Sequence, residues 1–173
     1  MQMVKRLIGG LLLLIIFLWL FSPKQELYYL LEKELEKKGI VISNETFHDH
    51  WLGLEITNAD IYLKGIKVAE AQDLTLNVFF LYNTLTINKI QTDKGIHNIA
   101  PKSIETLTAT FSIIAPYKIA LTGEGSFGSI YGGLYLNLDN KLLIRFNNAK
   151  EIAAFKKFLK KDQKGLYYET YFK

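Results

Sequence analysis

Apolar residues recur at every second position over most of this chain, from Ile40 to about Phe146. The clearest stretch runs from Leu74 to Phe80, where Thr75 and Asn77 separate the apolar residues. A period of two predicts β-strands with one apolar and one polar face. Residues typical of turns interrupt the pattern at Asn58, Gly65, Asn83, Asp93–Gly95, Pro101, Pro116, Gly123 and Asp139–Asn140. Breaks at this spacing indicate an antiparallel meander, so we predict a mainly β fold built on one curved sheet.

Two short segments have helical spacing instead, and we predict that they cap this sheet. The first, 23–38, begins after Ser22 with a proline at the first helical position and ends at Gly39. The second, 149–161, has apolar residues on one side and lysines on the other, and it precedes a last strand over 166–172. Residues 39–173 are therefore predicted to form one β-rich domain that includes the second helix.

The N-terminal segment indicates where the chain resides. Lys5 and Arg6 precede an uncharged, mostly aliphatic run from Leu7 to Phe21. Small residues suited to signal-peptidase cleavage are missing after this run, so we predict an uncleaved signal anchor over 1–22, with a cleaved signal peptide as the alternative. Because basic residues stay on the cytoplasmic side, residues from 23 onward are expected in the periplasm of a Gram-negative bacterium, on the outer side of its inner membrane.

Composition excludes several classes of function. The chain contains no cysteine, which removes disulfides, thiol catalysis and thiolate zinc sites. Its net charge is +4, and only two of its 21 basic residues, Arg6 and Arg145, are arginines. Recognition of guanine and phosphate relies on arginine, so no nucleic-acid partner is expected.

One glycine-rich string matches a nucleotide-binding pattern by letter. Gly123 to Gly128 reads G-x-G-x-x-G and follows a predicted strand. The dinucleotide fingerprint requires a helix next, whereas Ser129 to Leu138 alternates as a strand. We therefore interpret these glycines as residues at bulges or bends, and we expect no cofactor.

The histidines do not form a recognisable metal or catalytic site either. His48 and His50 share one face of a strand, but no third ligand stands at a suitable spacing. No Ser-His-Asp arrangement and no pair of acid-base carboxylates is recognisable. The sequence therefore predicts no metal site, no catalytic residues and no enzymatic activity.

The two predicted helices are too short to cover the apolar face of so long a sheet, so we expect an exposed apolar groove. Its candidate residues are Leu74, Leu76, Val78, Phe80, Leu107, Phe111, Leu121, Leu134 and Leu136. The lysines of segment 149–161 are candidate contacts for anionic lipid head groups, although lysines that simply face water near a helix end are the favoured interpretation. They are Lys156, Lys157, Lys160 and Lys161.

Three stretches carry a resemblance to a known family. They are Leu121–Gly128, Gly132–Leu136 with Leu142–Asn147, and the ending Lys164–Tyr168. Together with the signal anchor and the cysteine-free meander, they resemble the AsmA-like envelope proteins and, among these, the N proteins of type II secretion systems. The resemblance implies a curved, open periplasmic sheet whose apolar face carries acyl chains or docks another envelope protein. A scaffold that spans the membrane once and binds protein partners only through a sheet edge remains the alternative.

Overall fold

The protein is described by a computed structural model that covers residues 9–11, 13–14, 17, 24–50, 53–79, 81–137, 140–153 and 156–172. Its main feature is one antiparallel sheet of eleven strands. The strands are β1 (Ile40–Ser43), β2 (Thr46–His50), β3 (Gly53–Leu63), β4 (Ile66–Phe79), β5 (Tyr82–Thr92), β6 (Ser103–Ser112), β7 (Lys118–Gly125), β8 (Gly128–Tyr135), β9 (Lys141–Asn147), β10 (Lys160–Asp162) and β11 (Gly165–Tyr171). The predicted mainly β fold and antiparallel meander are confirmed.

Strands β3 to β9 pair in sequence order, β11 pairs with β9, and β10 pairs with the outer edge of β11. Strands β1 and β2 both pair with β3, from Ile40 opposite Leu63 to His50 opposite Gly53. They share one register and therefore form a single interrupted edge strand. The turns that end β4, β6 and β8 lie at one end of the sheet, which we call the hairpin end. The opposite end, with the connections 93–102 and 148–159, is called the loop end.

One helix, α1 (Lys24–Lys37), packs on the sheet, and this confirms the helix predicted over 23–38. Its Tyr28 is 2% exposed and packs against Leu54, Ile56 and Leu74. The ring of Tyr28 meets that of Phe47 edge-on, with 5.1 Å between centroids. An apolar stripe on a short helix thus covers the first strands of the sheet.

The sheet has one apolar and one polar face, because residues opposite each other on paired strands point to the same side. Two apolar rows cross it from β3 toward β11. The first row contains Ile56, Leu74, Ile87, Leu107, Gly123, Ile130 and Phe146. The second contains Leu54, Leu76, Leu85, Ala109, Leu121, Gly132, Ile144 and Tyr168. The polar face has a row of threonines, Thr75, Thr86, Thr108 and Thr122.

A line of irregular pairing runs across four strands. Asn58, Gln72, Lys89 and Glu105 follow one another across β3 to β6, and each is missing from otherwise continuous pairing. Asn58 and Lys89 have positive φ angles of 60° and 51°. On β3 the apolar face is formed by Leu54 and Ile56 before the line and by Ala59 and Ile61 after it. The odd-even alternation therefore changes phase at the line, as an inserted residue in a strand requires.

The helix predicted over 149–161 is wrong. Within the described part of this segment, only Lys156–Phe158 forms a 3₁₀ turn, and Lys160–Asp162 is strand β10. Asn148 and Glu151 have positive φ angles of 52° and 42°, which interrupt a right-handed helix. The apolar spacing that suggested a helix comes from a connection that crosses the apolar face on its way from β9 to β10.

Most of the predicted signal anchor over 1–22 lies outside the described residues, and the anchor stays a prediction. None of the helices in the described ranges is both long enough and apolar enough to cross a membrane. The described positions within this segment, at residues 9–11, 13–14 and 17, have helical backbone, and Leu11, Leu13, Leu14 and Phe17 are exposed.

Candidate functional site

An apolar cavity of about 470 Å³ lies on the apolar face near the loop end. Its floor is formed by residues of β6, β8, β9 and β11, and its walls come from the connections 93–102, 126–127 and 148–159. The lining residues are Ile99, Pro101, Ile104, Leu107, Phe127, Ile130, Ile144, Phe146, Phe158, Leu159 and Tyr168. Volume and lining fall in the range of sites that bind small apolar ligands.

The absence of a side chain at Gly123 leaves room in the floor. This residue lies in the first apolar row, between Leu107 on β6 and Ile130 on β8. A Cβ atom at this position would lie 3.2 Å from the side chains of both neighbours. Glycine therefore keeps the floor open between two large aliphatic residues.

The Phe127 side chain fixes one wall of the cavity. It is 4% exposed and meets the ring of Phe146 edge-on at 6.4 Å. The turn that carries it is held on two sides, because Phe127 O accepts a 2.9 Å hydrogen bond from Lys150 N and Ser126 Oγ accepts one of 3.1 Å from Lys102 N. These bonds join the turn to the connections on both sides of it.

The rim of the cavity is more exposed than its floor. Ile99 and Phe158 are 60% and 54% exposed, and an ion pair of 3.2 Å between Lys102 and Glu151 links the two connections that carry them. Lys157 Nζ lies 5.0 Å from the centroid of the Phe158 ring. The polar side-chain group within the lining is the Tyr168 hydroxyl, so the interior favours a ligand without charge.

The predicted groove residues do not lie together in one groove. Leu74 and Leu76 belong to the cluster beneath α1, and Leu107 lines the cavity. Phe111, Leu121 and Leu134 are partly buried on the apolar face between the cavity and the hairpin end. Val78 is partly buried near the end of β4, and Leu136 is 45% exposed beyond β8. Phe80 lies outside the described residues.

Most residues of the cavity were not among these candidates. The missed ones come from turns and connections, such as Pro101, Phe127 and Leu159, or from the last strands, such as Ile144 and Tyr168. One available signal was the presence of bulky apolar residues in segments otherwise rich in lysine, glycine and asparagine. Such residues in connections usually pack against something.

The four candidate lysines lie around β10. Lys156 and Lys157 are exposed in the 3₁₀ turn, and Lys161 is exposed on β10. Lys160 Nζ lies 3.0 Å from Glu169 Oε2, while Lys141 Nζ lies 2.5 Å from Glu169 Oε1. The two ammonium groups lower the pKa of Glu169 to about 2. The Lys160 ammonium group is therefore already paired with a carboxylate, which makes Lys160 a poor candidate for binding a lipid phosphate.

A second ion pair joins strands at the same edge of the sheet, next to β10. Arg145 on β9 donates two parallel hydrogen bonds to Asp162 on β10, across the intervening β11. The guanidinium holds the pKa of Asp162 below its usual range. Bidentate pairs of this kind fix geometry more firmly than a single contact does.

Neither of the two motifs considered for other chemistry forms a site. The Gly123–Gly128 string spans the end of β7, a two-residue turn and the start of β8, so it does not lead into a helix that could hold a pyrophosphate. His50 Nε2 lies 3.1 Å from Glu55 Oε2 on the neighbouring strand. In the ranges that the structure describes, three or more histidine and carboxylate side chains do not converge anywhere on a possible metal position.

The chain matches no protein-family model, no curated protein and no solved structure.

Proposed function

We propose that this protein is a non-enzymatic, membrane-anchored envelope protein that binds a lipid acyl chain in the cavity at the loop end of its sheet. The observation that carries the proposal is the cavity of about 470 Å³ with an almost entirely apolar lining. If water filled a cavity of this size, it would contact about ten aliphatic and aromatic side chains. The free-energy cost of that contact is roughly proportional to their exposed area. An apolar ligand removes that cost.

An acyl chain suits the site better than a compact apolar molecule. The cavity continues into the apolar face through Leu121, Leu134 and Ile119, which are partly buried and lie toward the hairpin end. A long flexible chain can follow these rows, and the open rim leaves a polar head group in water. Because the described lining residues include no charged side chain, binding would rest on area and shape.

The proposed location is the bacterial inner membrane, with the sheet in the periplasm. It rests on the run from Leu7 to Phe21 behind Lys5 and Arg6. Mass spectrometry of the protein extracted from membranes is expected to find residues 1–22 present. A mature chain that starts near Pro23 would contradict the anchor and leave the cavity proposal untouched.

The cavity proposal is tested by replacing Ile130 with a residue that fills the space. The full chain is purified in a mild detergent, its bound lipids are identified by mass spectrometry, and displacement by a fluorescent fatty acid is measured. Ile130→Trp should abolish bound lipid and fatty-acid uptake, because the indole occupies the floor. Tyr131→Trp is the matched control, since it is the next residue on the same strand but lies on the polar face, where it is 47% exposed, and it should retain both.

Two results would overturn the proposal. The wild-type protein could carry no lipid and take up no fatty acid, or Ile130→Trp could bind as well as wild type while remaining folded. If the cavity does bind lipid, the lipids or proteins recovered with the intact chain distinguish an AsmA-like lipid carrier from an accessory of type II secretion.

The second candidate is a scaffold that binds a protein by strand addition. Strand β10 pairs only with Gly165, Leu166 and Tyr167 of β11. The outer edge of β11 from Tyr168 to Tyr171 therefore has no strand partner among the described residues. An unpaired edge of this length is a template for an added strand. Recovery of a protein on this edge, with an empty cavity in every preparation, would favour this candidate.

A further inference from the structure

The hairpin end of the sheet exposes large apolar side chains in turn after turn. Nine of them are between 45% and 85% exposed. They are Phe79, Leu81, Tyr82, Ile113, Ile114, Tyr117, Leu136, Tyr171 and Phe172, and together we call them the tip surface. Ile114 is the most exposed of the set at 85%.

Charge is distributed very differently at the two ends. In the turns of the hairpin end, the described residues 81, 113–117, 136–137 and 140 include no charged side chain. The connections of the loop end contain many lysines, among them Lys64, Lys94, Lys102, Lys150 and Lys164. The loop end also exposes apolar residues such as Ile66, but they stand among charges that water must solvate. Among the described residues, the turns of the hairpin end are therefore those that could enter an apolar phase without burying a charge, whereas Asp139 of the turn from β8 to β9 lies outside the described ranges.

The helix α1 shows that the apolar N-terminal run joins the domain at this same end. Gln25 Nε2 at the start of α1 donates a 3.0 Å hydrogen bond to Asp49, next to the hairpin end of β2. At the other end of α1, Gly39 O accepts a 2.7 Å hydrogen bond from Lys64 N at the loop end. The helix therefore runs from the hairpin end to the loop end. The sequence that precedes it, from Leu7 to Phe21, is uncharged and apolar.

We propose that the tip surface rests in the interface of the same lipid bilayer that holds the N-terminal run. Aromatic residues favour the level of the head groups, and Tyr82, Tyr117 and Tyr171 would lie there with the aliphatic tips below them. Lys118 stands just behind the tips, with Nζ 5.4 Å from the ring centroid of Tyr135, where its ammonium group can reach lipid phosphates.

This contact gives the sheet a definite orientation. The strands would stand on the membrane, and the cavity would lie about 30 Å away at the loop end, given roughly 3.4 Å per strand residue over β6. The inference rests on the proposed membrane anchor but not on what the cavity binds, because the tip surface and the cavity share no residue.

The chain has no cysteine, so single cysteines can report the depth of each end. A fluorophore is attached to Ile114→Cys or to Leu81→Cys in the full chain, which is reconstituted in vesicles of phosphatidylethanolamine and phosphatidylglycerol that contain spin-labelled acyl chains. Lys164→Cys, at the loop end, is the matched position. The label at 114 or 81 should be quenched by the lipid several-fold more strongly than the label at 164.

A second pair of variants separates contact from mere tethering. With the label at Leu81→Cys, the substitution Ile114→Asp should reduce quenching by the lipid, because it places a charge on the tip surface. Ile66→Asp introduces the same charge at an exposed isoleucine of the loop end and should leave quenching unchanged. Fatty-acid uptake by the cavity should be normal in both, which keeps this test separate from that of the proposed function.

Equal lipid quenching at 114 and 164 would overturn the proposal. So would a label at 114 that is shielded from iodide in water yet not quenched by the spin-labelled lipid, because a protein and not the bilayer would then cover the tips.

Discussion

Arg145 and Asp162 are joined by two parallel hydrogen bonds, 3.0 Å from Nη1 to Oδ1 and 2.8 Å from Nη2 to Oδ2. They connect β9 with β10 over the strand that lies between them. The connection 148–159, which supplies Phe158 and Leu159 to the cavity, begins and ends at these two strands. The pair lies on the polar face, opposite the cavity, and it fixes to each other the two ends of the connection that forms one cavity wall.

Asp162→Asn should loosen that wall. One carboxylate oxygen becomes an NH₂ that cannot accept, so one of the two parallel bonds is lost. We expect faster dissociation of the fluorescent fatty acid in stopped-flow measurements, with little change in thermal stability, since the pair lies near the surface. Lys67→Gln breaks an ion pair with Asp60 between β3 and β4, near the opposite edge of the sheet, and should not alter dissociation. Unchanged dissociation in Asp162→Asn would mean that the wall does not control access.

Glu169 should make stability depend on acid pH. Its pKa in the folded protein is about 2, below its ordinary value of 4.5, because Lys141 and Lys160 favour the carboxylate. The stabilisation is complete above pH 4.5 and is lost as the pH falls toward 2. Between these values, the thermal midpoint of the wild type should fall more steeply than that of Glu169→Gln, measured by circular dichroism. Glu124→Gln, an exposed residue of β7, serves as control and should follow the wild type. Parallel curves for wild type and Glu169→Gln would contradict the ion-pair assignment.

Tyr28 should tolerate loss of its hydroxyl but not of its ring. The hydroxyl is buried, has no hydrogen-bond partner within the described residues, and burial raises its pKa. Tyr28→Phe should leave the free energy of unfolding unchanged or slightly higher, because a buried unpaired polar group is removed. Tyr28→Ala should lower it by about 3–5 kcal/mol through loss of packing under α1. The neighbouring Tyr29 is 48% exposed, so Tyr29→Ala should cost far less in urea denaturation. Similar losses for both alanine variants would contradict the packing of α1.

Gly132 should not accept even a methyl group. A Cβ atom there would lie 2.0 Å from Leu143 O and 2.9 Å from Ile144 Cα, both backbone atoms of the paired strand. Gly132→Ala should therefore lower the free energy of unfolding by about 1–3 kcal/mol, as overpacking does. Gly95→Ala is the control, because its methyl group would meet only a side-chain oxygen of Asp93 at 3.1 Å. A wild-type melting curve for Gly132→Ala would show that β8 and β9 are farther apart than described.

Local sequence patterns predicted those strands and helices that are determined by residues close to one another in the chain. The alternation from Leu74 onward gave β4, and a proline start with a glycine stop gave α1. Gly65 and Pro116 do lie in turns, whereas Asn58 and Gly123 lie inside strands. A break in alternation has two physical causes, a reversal of the chain or an extra residue in a strand, and single positions do not distinguish them.

The cavity could not be predicted from the sequence, for a different reason. Its lining joins Ile99, Phe127 and Leu159, which lie in three separate connections brought together by strand pairing. The same pairing explains the false helix over 149–161, since a connection that crosses an apolar face buries residues at irregular intervals. A few apolar residues at such intervals can match the spacing of residues on one face of a helix. The groove residues Leu121 and Leu134 were chosen by alternation alone, which identifies a face but does not show where that face is covered.

The line through Asn58, Gln72, Lys89 and Glu105 divides β3 to β6 into two parts. In each strand, the apolar face is formed by even-numbered residues on one side of the line and by odd-numbered residues on the other. Deleting Asn58 from β3 alone would restore strict alternation there, but it would shift Ala59 and Ile61 by one position along β4, opposite Gln72 and Glu70 instead of Ala71 and Ala69. The neighbouring strands would keep their own frame, so apolar and polar residues would meet across the same ladder. The four strands can therefore gain or lose a residue at this line only together, so the line fixes the register that β3 to β6 share.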